Sequence, residues 1–363
     1  MFEIIFLVVI CLYFIQSVIL LTGANKKFIK VKDNQLKNIS VIVAARNEEK
    51  NILPCMESLN KLIYPAEKIE IIIVNDNSED FTLRIIEEYI SDKPKFRCMN
   101  TKKQIGNLKG KTNALANALE AAKGEIILTT DADCIVSPLW AKTLASYYDE
   151  NVAMVFGYTT QTAEDNFSGM QMLDFIYLLT VAAGAMNYNV PLSCIGNNMS
   201  YRRSVYKEVG GYESIPFSIT EDFTLLHTIF RLKKYKVIYP LDKDALVVSK
   251  PCENVKALYW QKKRWGVGGL DSELPGFFVM GTGFFANLGV LIFPLFYSPS
   301  VLYIAVFKIA ADLFFLYPVL KKLGLSEKLK YFIAFQIYYI IYVLGLPVSV
   351  LLSKKVIWKG RKY

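Results

Sequence analysis

Glu125-Ile126-Ile127-Leu128-Thr129-Thr130-Asp131-Ala132-Asp133 is an apolar run that breaks into two carboxylates one residue apart. Residues 125–129 read as a short, fully buried strand of the kind found in parallel sheets. Just before it, residues 112–123 carry helical spacing and stop at Gly124. The same unit recurs twice upstream. Residues 40–45 (SVIVAA) predict a first strand, with a helix over 48–62 that ends at Tyr64-Pro65. Residues 70–74 (EIIIV) predict a second strand, with a helix over 80–90 and Ser78 or Asp80 as its N-cap. Alternation of this sort argues for a mostly parallel sheet with helices on both faces, an α/β domain spanning residues 38–250. Residues 167–188 are long and apolar and read as a core helix of that domain, with a membrane-facing acceptor helix as the alternative.

Ligands of open parallel sheets bind beyond the carboxyl ends of the strands. Each predicted strand is followed there by polar residues: Arg46-Asn47-Glu48-Glu49, then Asn75-Asp76-Asn77-Ser78, then Asp131-Ala132-Asp133. Two neighbouring carboxylates suit a hard cation such as Mg²⁺ or Mn²⁺, which binds one or two carboxylates plus substrate phosphates. The competing reading is a capped turn, which needs no ligand. Further on, Thr220-Glu221-Asp222 follows Ser218-Ile219. It reads either as an ordinary helix start or as the source of a base that takes a proton from an attacking hydroxyl. Gln261-Lys262-Lys263-Arg264-Trp265 offers a guanidinium able to clamp a diphosphate and an indole able to cover a sugar. A basic aromatic helix at the membrane interface has the same composition.

Several classes are excluded. Gly110-Lys111-Thr112 resembles the end of a nucleotide-triphosphate loop, but Gly106 leaves three intervening residues instead of four. The six cysteines show no C-x-x-C pair, and His227 is the only histidine, so a zinc centre is not indicated. The net charge of +9 gathers beside apolar segments and not on one polar face, which argues against nucleic acid.

Residues 2–21 are long and apolar enough to span a bilayer, with Glu3 their single charge. They read as an uncleaved anchor, residues 1–24. Lys26, Lys27, Lys30, Lys32 and Lys37 follow at once and put the next domain on the cytoplasmic side of a plasma or inner membrane. Residues 251–272 read as an interfacial segment. Residues 276–297, 299–319 and 331–352 read as a C-terminal membrane bundle within 276–352. The basic loop at Lys321, Lys322, Lys328 and Lys330 and the basic tail at Lys354, Lys355, Lys359, Arg361 and Lys362 cannot both be cytoplasmic if the last stretch crosses.

Taken in order, these motifs resemble family 2 glycosyltransferases, the inverting group with a GT-A fold. The resemblance rests on Val43 to Glu49, Val74 to Ser78, Lys109 to Leu115, Asp131 to Asp133, Gly196 to Arg203, Thr220 to Asp222 and Gln261 to Trp265, and covers roughly residues 38–268. The Q-x-x-R-W element beside membrane spans looks like the branch of cellulose, hyaluronan, poly-N-acetylglucosamine and ceramide glucosyl enzymes. It implies a UDP-sugar donor held by Ala44, Arg46, Glu48, Asp76, Lys111, Asp131 and Arg264. It implies a Mg²⁺ or Mn²⁺ ion on Asp133 with Asp131, and Asp222 as general base. It implies an acceptor side formed by Gly196, Asn197, Asn198, Glu221, Gln261 and Trp265. Polymer-making members often carry G-T-G where this chain has Gly196-Asn197-Asn198, and four spans are few for a polymer channel without an assembly partner. A lipid-linked or saccharide acceptor at the membrane is therefore expected, with processive polymer synthesis as the alternative. An inactive membrane assembly subunit is the alternative of another class.

Overall fold

The computed structural model describes residues 1–215, 220–358 and 361–362. The chain divides into two units: one holds residues 1–25, 161–192 and 251–363, the other residues 26–160 and 193–250. It opens with helix α1 (Phe2–Ala24) of the first unit.

The second unit is the sheet domain. Strand β1 (Ile39–Ala45), α2 (Ile52–Asn60), β2 (Ile69–Asn75), α3 (Thr82–Ile90), β3 (Phe96–Asn100), α4 (Gly110–Ala121) and β4 (Ile126–Asp131) follow one another. Next come β5 (Ile135–Val136), α5 (Trp140–Ser146), β6 (Val152–Phe156) and β7 (Thr159–Gln161). Helix α6 (Asn166–Met186) interrupts, and the domain resumes with β8 (Met199–Arg202), α7 (Arg203–Glu208), α8 (Glu221–Arg231), β9 (Lys236–Ile238) and β10 (Val247–Ser249). Seven strands make one sheet in the order β3-β2-β1-β4-β8-β6-β9, and β5-β10-β7 make a small second one. Strands β1 to β4 are mutually parallel, while β8 runs antiparallel to β4 and β6.

The chain steps outward from β1 to β3 and then returns to the far side of β1 for β4. Right-handed crossovers then put α2 and α3 on one face and α4 on the other. The direction of winding switches between β1 and β4, which is where a crevice opens at the carboxyl edge. Strand β1 is buried along nearly its whole length, as its apolar run requires. Strand β3, at the sheet edge, mixes buried and exposed residues and so leaves no apolar run to read.

Two local expectations are corrected. Helix α4 ends at Ala121, and Gly124 does not stop it. A side chain at Gly124 would instead lie 2.3 Å from the backbone nitrogen of Ser40, so this position must let two chains pass closely. Helix α3 has Phe81 in its N-cap position. Ser78 and Asp80 accept instead from the backbone N–H groups of Asn47 (3.1 Å) and Glu49 (3.2 Å), which ties two loops together.

The largest correction concerns residues 161–192. They do not belong to one continuous 38–250 domain, because α6 is grouped with the first unit. That unit also contains α9 (Val255–Gly268), α10 (Leu274–Ile292), α11 (Pro299–Leu323) and α12 (Phe332–Leu352). Helix α11 ends at Gly324, whose φ of 75° is the left-handed cap glycine tolerates. Among the described residues, five helical segments are long and apolar enough to cross a membrane, α6 among them. Yet strands before and after α6 pair in one sheet, and one sheet lies on one side of a bilayer. A return through lipid by the irregular residues 187–198 would strand unpaired backbone. In a membrane α6 therefore does not cross, and α1, α10, α11 and α12 remain as candidate spans by length and composition.

The core of this unit is polar at one point. On α11, Lys308 and Asp312 form an i,i+4 ion pair at 2.7 Å with both side chains 0% exposed. Lys308 also donates to Asn287 of α10 at 2.7 Å. Asp312 accepts from Gln336 of α12 at 2.8 Å and from Tyr13 of α1, which in turn bonds Tyr177 of α6. One network thus joins all five long helices. The basic tail expected to compete with the 321–330 loop is described only in part, and Lys359 lies outside the described residues.

Candidate active site

The carboxyl edge of the sheet gathers the expected donor residues. Across the β1/β4 switch point Ala44 is in register with Asp131, and on the other side Ala45 is in register with Asn75. The loops after β1 and β2 are zipped together by side chains. Asn47, at φ 54°, accepts from the N–H of Glu79 at 2.9 Å, and Thr82 accepts from the N–H of Glu48 at 2.7 Å. Asp76 is fixed from its backbone by the Ala45 carbonyl at 2.8 Å. Its carboxylate lies 3.9 Å from Arg46, which also reaches Glu79 at 3.7 Å. Glu48 is buried and accepts from the Asn51 amide at 2.7 Å. Asp76 and Arg46 thus come together, with Glu48 buried two residues beyond Arg46.

Lys111 sits in the first turn of α4 and joins the two acidic clusters. Its ammonium lies 2.6 Å from Asp131 and 3.5 Å from Glu221. Burial alone would lower its pKa; Asp131, then Glu221, outweigh that and hold it well above the usual lysine range. Lys111 is therefore a permanent cation at the site. Thr220 occupies the N-cap position of α8, so Glu221 and Asp222 open that helix. Ser218 and Ile219, which lead into it, lie outside the described residues. A side chain added at Gly196 would come within 3.1 Å of the Asp222 carboxylate, so Gly196 keeps space open beside it.

Asp133 is held from behind. The Cys134 thiol donates to Asp133 Oδ1 at 3.4 Å, and the Asn197 amide donates to the Cys134 sulfur at 3.6 Å. Thr159 in turn donates to the Asn197 carbonyl oxygen at 2.8 Å. Burial, with Asp131 and Asp133 adding to it, pushes the Cys134 thiol well up, so it stays protonated and keeps its donor. This chain of bonds continues through two residues expected on the acceptor side. Asn197 is buried and both ends of its amide are engaged inside the protein. Asn198 donates to the carbonyls of Tyr158 (2.7 Å) and Ala245 (2.9 Å) and accepts from the Trp140 indole (2.8 Å). Both amides brace the residues around Asp133. Cys134 is a residue sequence reasoning missed; its only signal is its place directly after Asp131-Ala132-Asp133.

Asp131 and Asp133 supply hard carboxylate oxygens. Among the described residues no third His, Cys, Asp or Glu joins them in a metal-binding group. That donor set fits an ion such as Mg²⁺ or Mn²⁺ that keeps several positions for phosphate oxygens and water. It does not fit a structural zinc site.

Gln261, Arg264 and Trp265 belong to the other unit, on α9. There Trp265 stacks on Phe175 of α6, with ring centroids 5.6 Å apart at 16°. His227, read as structural, packs edge-on against Phe223 at 4.3 Å.

The model of "Glycosyl transferase family 2" matches residues 40–210, and that of "Glycosyl transferase family group 2" matches residues 126–348. Among curated proteins, a probable glycosyltransferase, YdaM, of Bacillus subtilis is 28% identical, with 64% of this chain and 56% of that protein covered. A beta-monoglucosyldiacylglycerol synthase of Trichormus variabilis is 27% identical, covering 68% of this chain and 52% of that protein. A poly-beta-1,6-N-acetyl-D-glucosamine synthase of Staphylococcus epidermidis is 24% identical, covering 69% and 58%. The chain thus spans about half the length of these curated relatives. Among solved structures, the mannosyltransferase PcManGT of Pyrobaculum calidifontis, in complex with GDP-Man and Mn²⁺, shares the fold at a TM-score of 0.58. The sequences are 19% identical, and the match covers 97% of this chain and 99% of that one.

Proposed function

As a member of glycosyl transferase family group 2, this chain is a glycosyltransferase, and we propose that it is metal-dependent and inverting. It moves a hexose or N-acetylhexosamine from a UDP-sugar to a lipid-linked or saccharide acceptor at the cytoplasmic face of a membrane. The observation that carries this reading is the joining of Asp131 and Glu221 by one half-buried lysine, Lys111, with Asp222 opening the same helix as Glu221.

Each residue then has a task. Asp76, Arg46 and Glu48, with Ala44 beside them, receive the nucleoside end of the donor. Lys111 holds its positive charge toward the diphosphate. Asp133, with Asp131, holds Mg²⁺ or Mn²⁺, which when bound supplies positive charge to the departing diphosphate. Asp222 takes the proton from the acceptor hydroxyl, and Glu221 keeps Lys111 in place. The acceptor oxygen bonds to the anomeric carbon as the bond from that carbon to the diphosphate oxygen breaks, and its electron pair leaves with the diphosphate. A single displacement inverts the centre, so an α-linked donor yields a β-linked product. Arg264, Gln261 and Trp265 of α9 are assigned to the diphosphate and the acceptor sugar, and Gly196 to the space the acceptor enters. Synthesis of a glucosyl lipid by the Trichormus relative supports the lipid acceptor. The poly-N-acetylglucosamine synthase among the relatives supports the processive alternative.

The test is turnover of a panel of UDP- and GDP-sugars by detergent-purified protein with a lipid extract, with Mg²⁺, Mn²⁺ or chelator. One donor consumed only with metal is expected. Folded protein that consumes no donor would favour an inactive assembly subunit. The bracing of Asp133 gives a second expectation. Cys134→Ala should weaken Mn²⁺ binding to the UDP complex by about 10–100-fold, read by calorimetry. Cys134→Ser, which keeps a donor, should recover most of it.

A further inference from the structure

One stripe of α6 is given over to gripping α9 and the segment that leads into it. Gln171, Asp174 and Phe175 lie at i, i+3 and i+4 and so share a helix face. Gln171 accepts from the Cys252 N–H at 2.8 Å and donates to the Cys252 carbonyl at 3.2 Å, which fixes the approach to α9. Asp174 pairs with Lys262, with side chains 0% and 5% exposed. The Lys262 ammonium also lies 4.2 Å over the Trp265 ring and 5.1 Å over Tyr342 of α12. Phe175 stacks on the other side chain of this turn, Trp265. Two neighbouring residues of α6 therefore hold two residues of α9 one turn apart.

An ion pair buried this deeply is a poor way to add stability, since apolar side chains of similar volume commonly serve as well or better. What it does supply is direction: a charge pair tolerates little rotation of either helix. Asp174 Oδ1 makes no hydrogen bond, so the carboxylate acts through its other oxygen alone. The turn of α9 fixed in this way carries Gln261, Arg264 and Trp265.

We propose that Asp174, with Phe175, is a positioning residue for sugar transfer: acting through Lys262 and Trp265, it sets the rotation of α9 and so the aim of Arg264 and Gln261. The inference rests on the assignment of those α9 residues to the diphosphate and acceptor.

The experiment uses the full chain in detergent and compares Asp174→Leu/Lys262→Met with wild type. The double variant removes both charges at once and should keep its melting temperature, while its affinity for UDP, whose diphosphate Arg264 is assigned to hold, should weaken. Its kcat should fall by about 10²-fold, the scale of a small misplacement of a binding group, and its tryptophan fluorescence should shift as Trp265 loses its cation. A double variant that melts, binds UDP and turns over like wild type overturns the proposal. Should the double variant fail to fold, Phe175→Leu carries the test. It leaves the charges alone, and a kcat unchanged from wild type there overturns the proposal equally. Arg264→Ala run alongside separates the two levels. If Arg264→Ala turns over normally, the role of α9 itself is wrong; if it is inactive while the clamp variants are normal, only the clamp is.

Discussion

Asp222→Asn is expected to abolish most sugar transfer while leaving UDP binding intact. The amide is nearly the same size, so α8 should keep its start and Gly196 its open space beside residue 222. What is lost is the ability to take a proton. General-base catalysis contributes about 10²–10⁴-fold, and kcat should fall by that order. The Kd for UDP, set by residues of the other loops, should move by less than about twofold, well under a kilocalorie per mole. Single-turnover transfer and calorimetry on the same preparation check both halves. Unchanged kcat would remove Asp222 as the base and redirect attention to Glu221, which the structure ties to Lys111.

Lys308→Met is expected to be the most damaging single change in the helical unit. It leaves Asp312 buried with its charge uncompensated inside a network that reaches every long helix. Removing one member of a buried pair typically costs about 3–5 kcal/mol. The melting temperature in detergent should drop sharply, and the drop should be much smaller in Lys308→Met/Asp312→Leu, where neither charge remains. Equal melting of wild type and Lys308→Met would show that water reaches the pair. UDP affinity of the protein that remains folded should be unaffected.

Strands β1, β2 and β4 were legible because each is a largely β-branched run buried on both faces, and each ends in a polar cluster. From that alone Asp76 and Asp131 could be named; Lys111 was implied only by the resemblance, and its ammonium lies 2.6 Å from Asp131. Strand β3 was not legible, since an edge strand needs only alternate burial and Phe96-Arg97-Cys98-Met99-Asn100 shows no run. The misplacement of α6 has a different cause. A helix buried in a bundle and one buried under a sheet are both apolar on all sides, so composition could not say which unit it joins. The bracing by Asn197 and Asn198 was not legible because it rests on distances to Thr159, Cys134, Tyr158 and Ala245, residues far apart in the chain. The buried charges did leave a trace that could have been followed: Lys308 and Asp312 stand four residues apart inside an otherwise apolar span, a spacing that lets one neutralise the other on a helix.

The central sheet has a consequence for how the protein is made. Strand β8 lies between β4 and β6, yet it is translated after α6. While the ribosome is still short of residue 199, β4 presents an unpaired edge, a template for aggregation. Strand β6, meanwhile, has neither of its neighbours, because β9 comes later still. The sheet cannot be finished until a helix of the other unit has been delivered, so maturation of the two units is interleaved on the growing chain. Shortening the gene to release a soluble sugar-transfer domain would therefore fail at either obvious cut: stopping before α6 omits the middle of the sheet, and stopping after β10 leaves α6 without α9 and the three later long helices that share its unit.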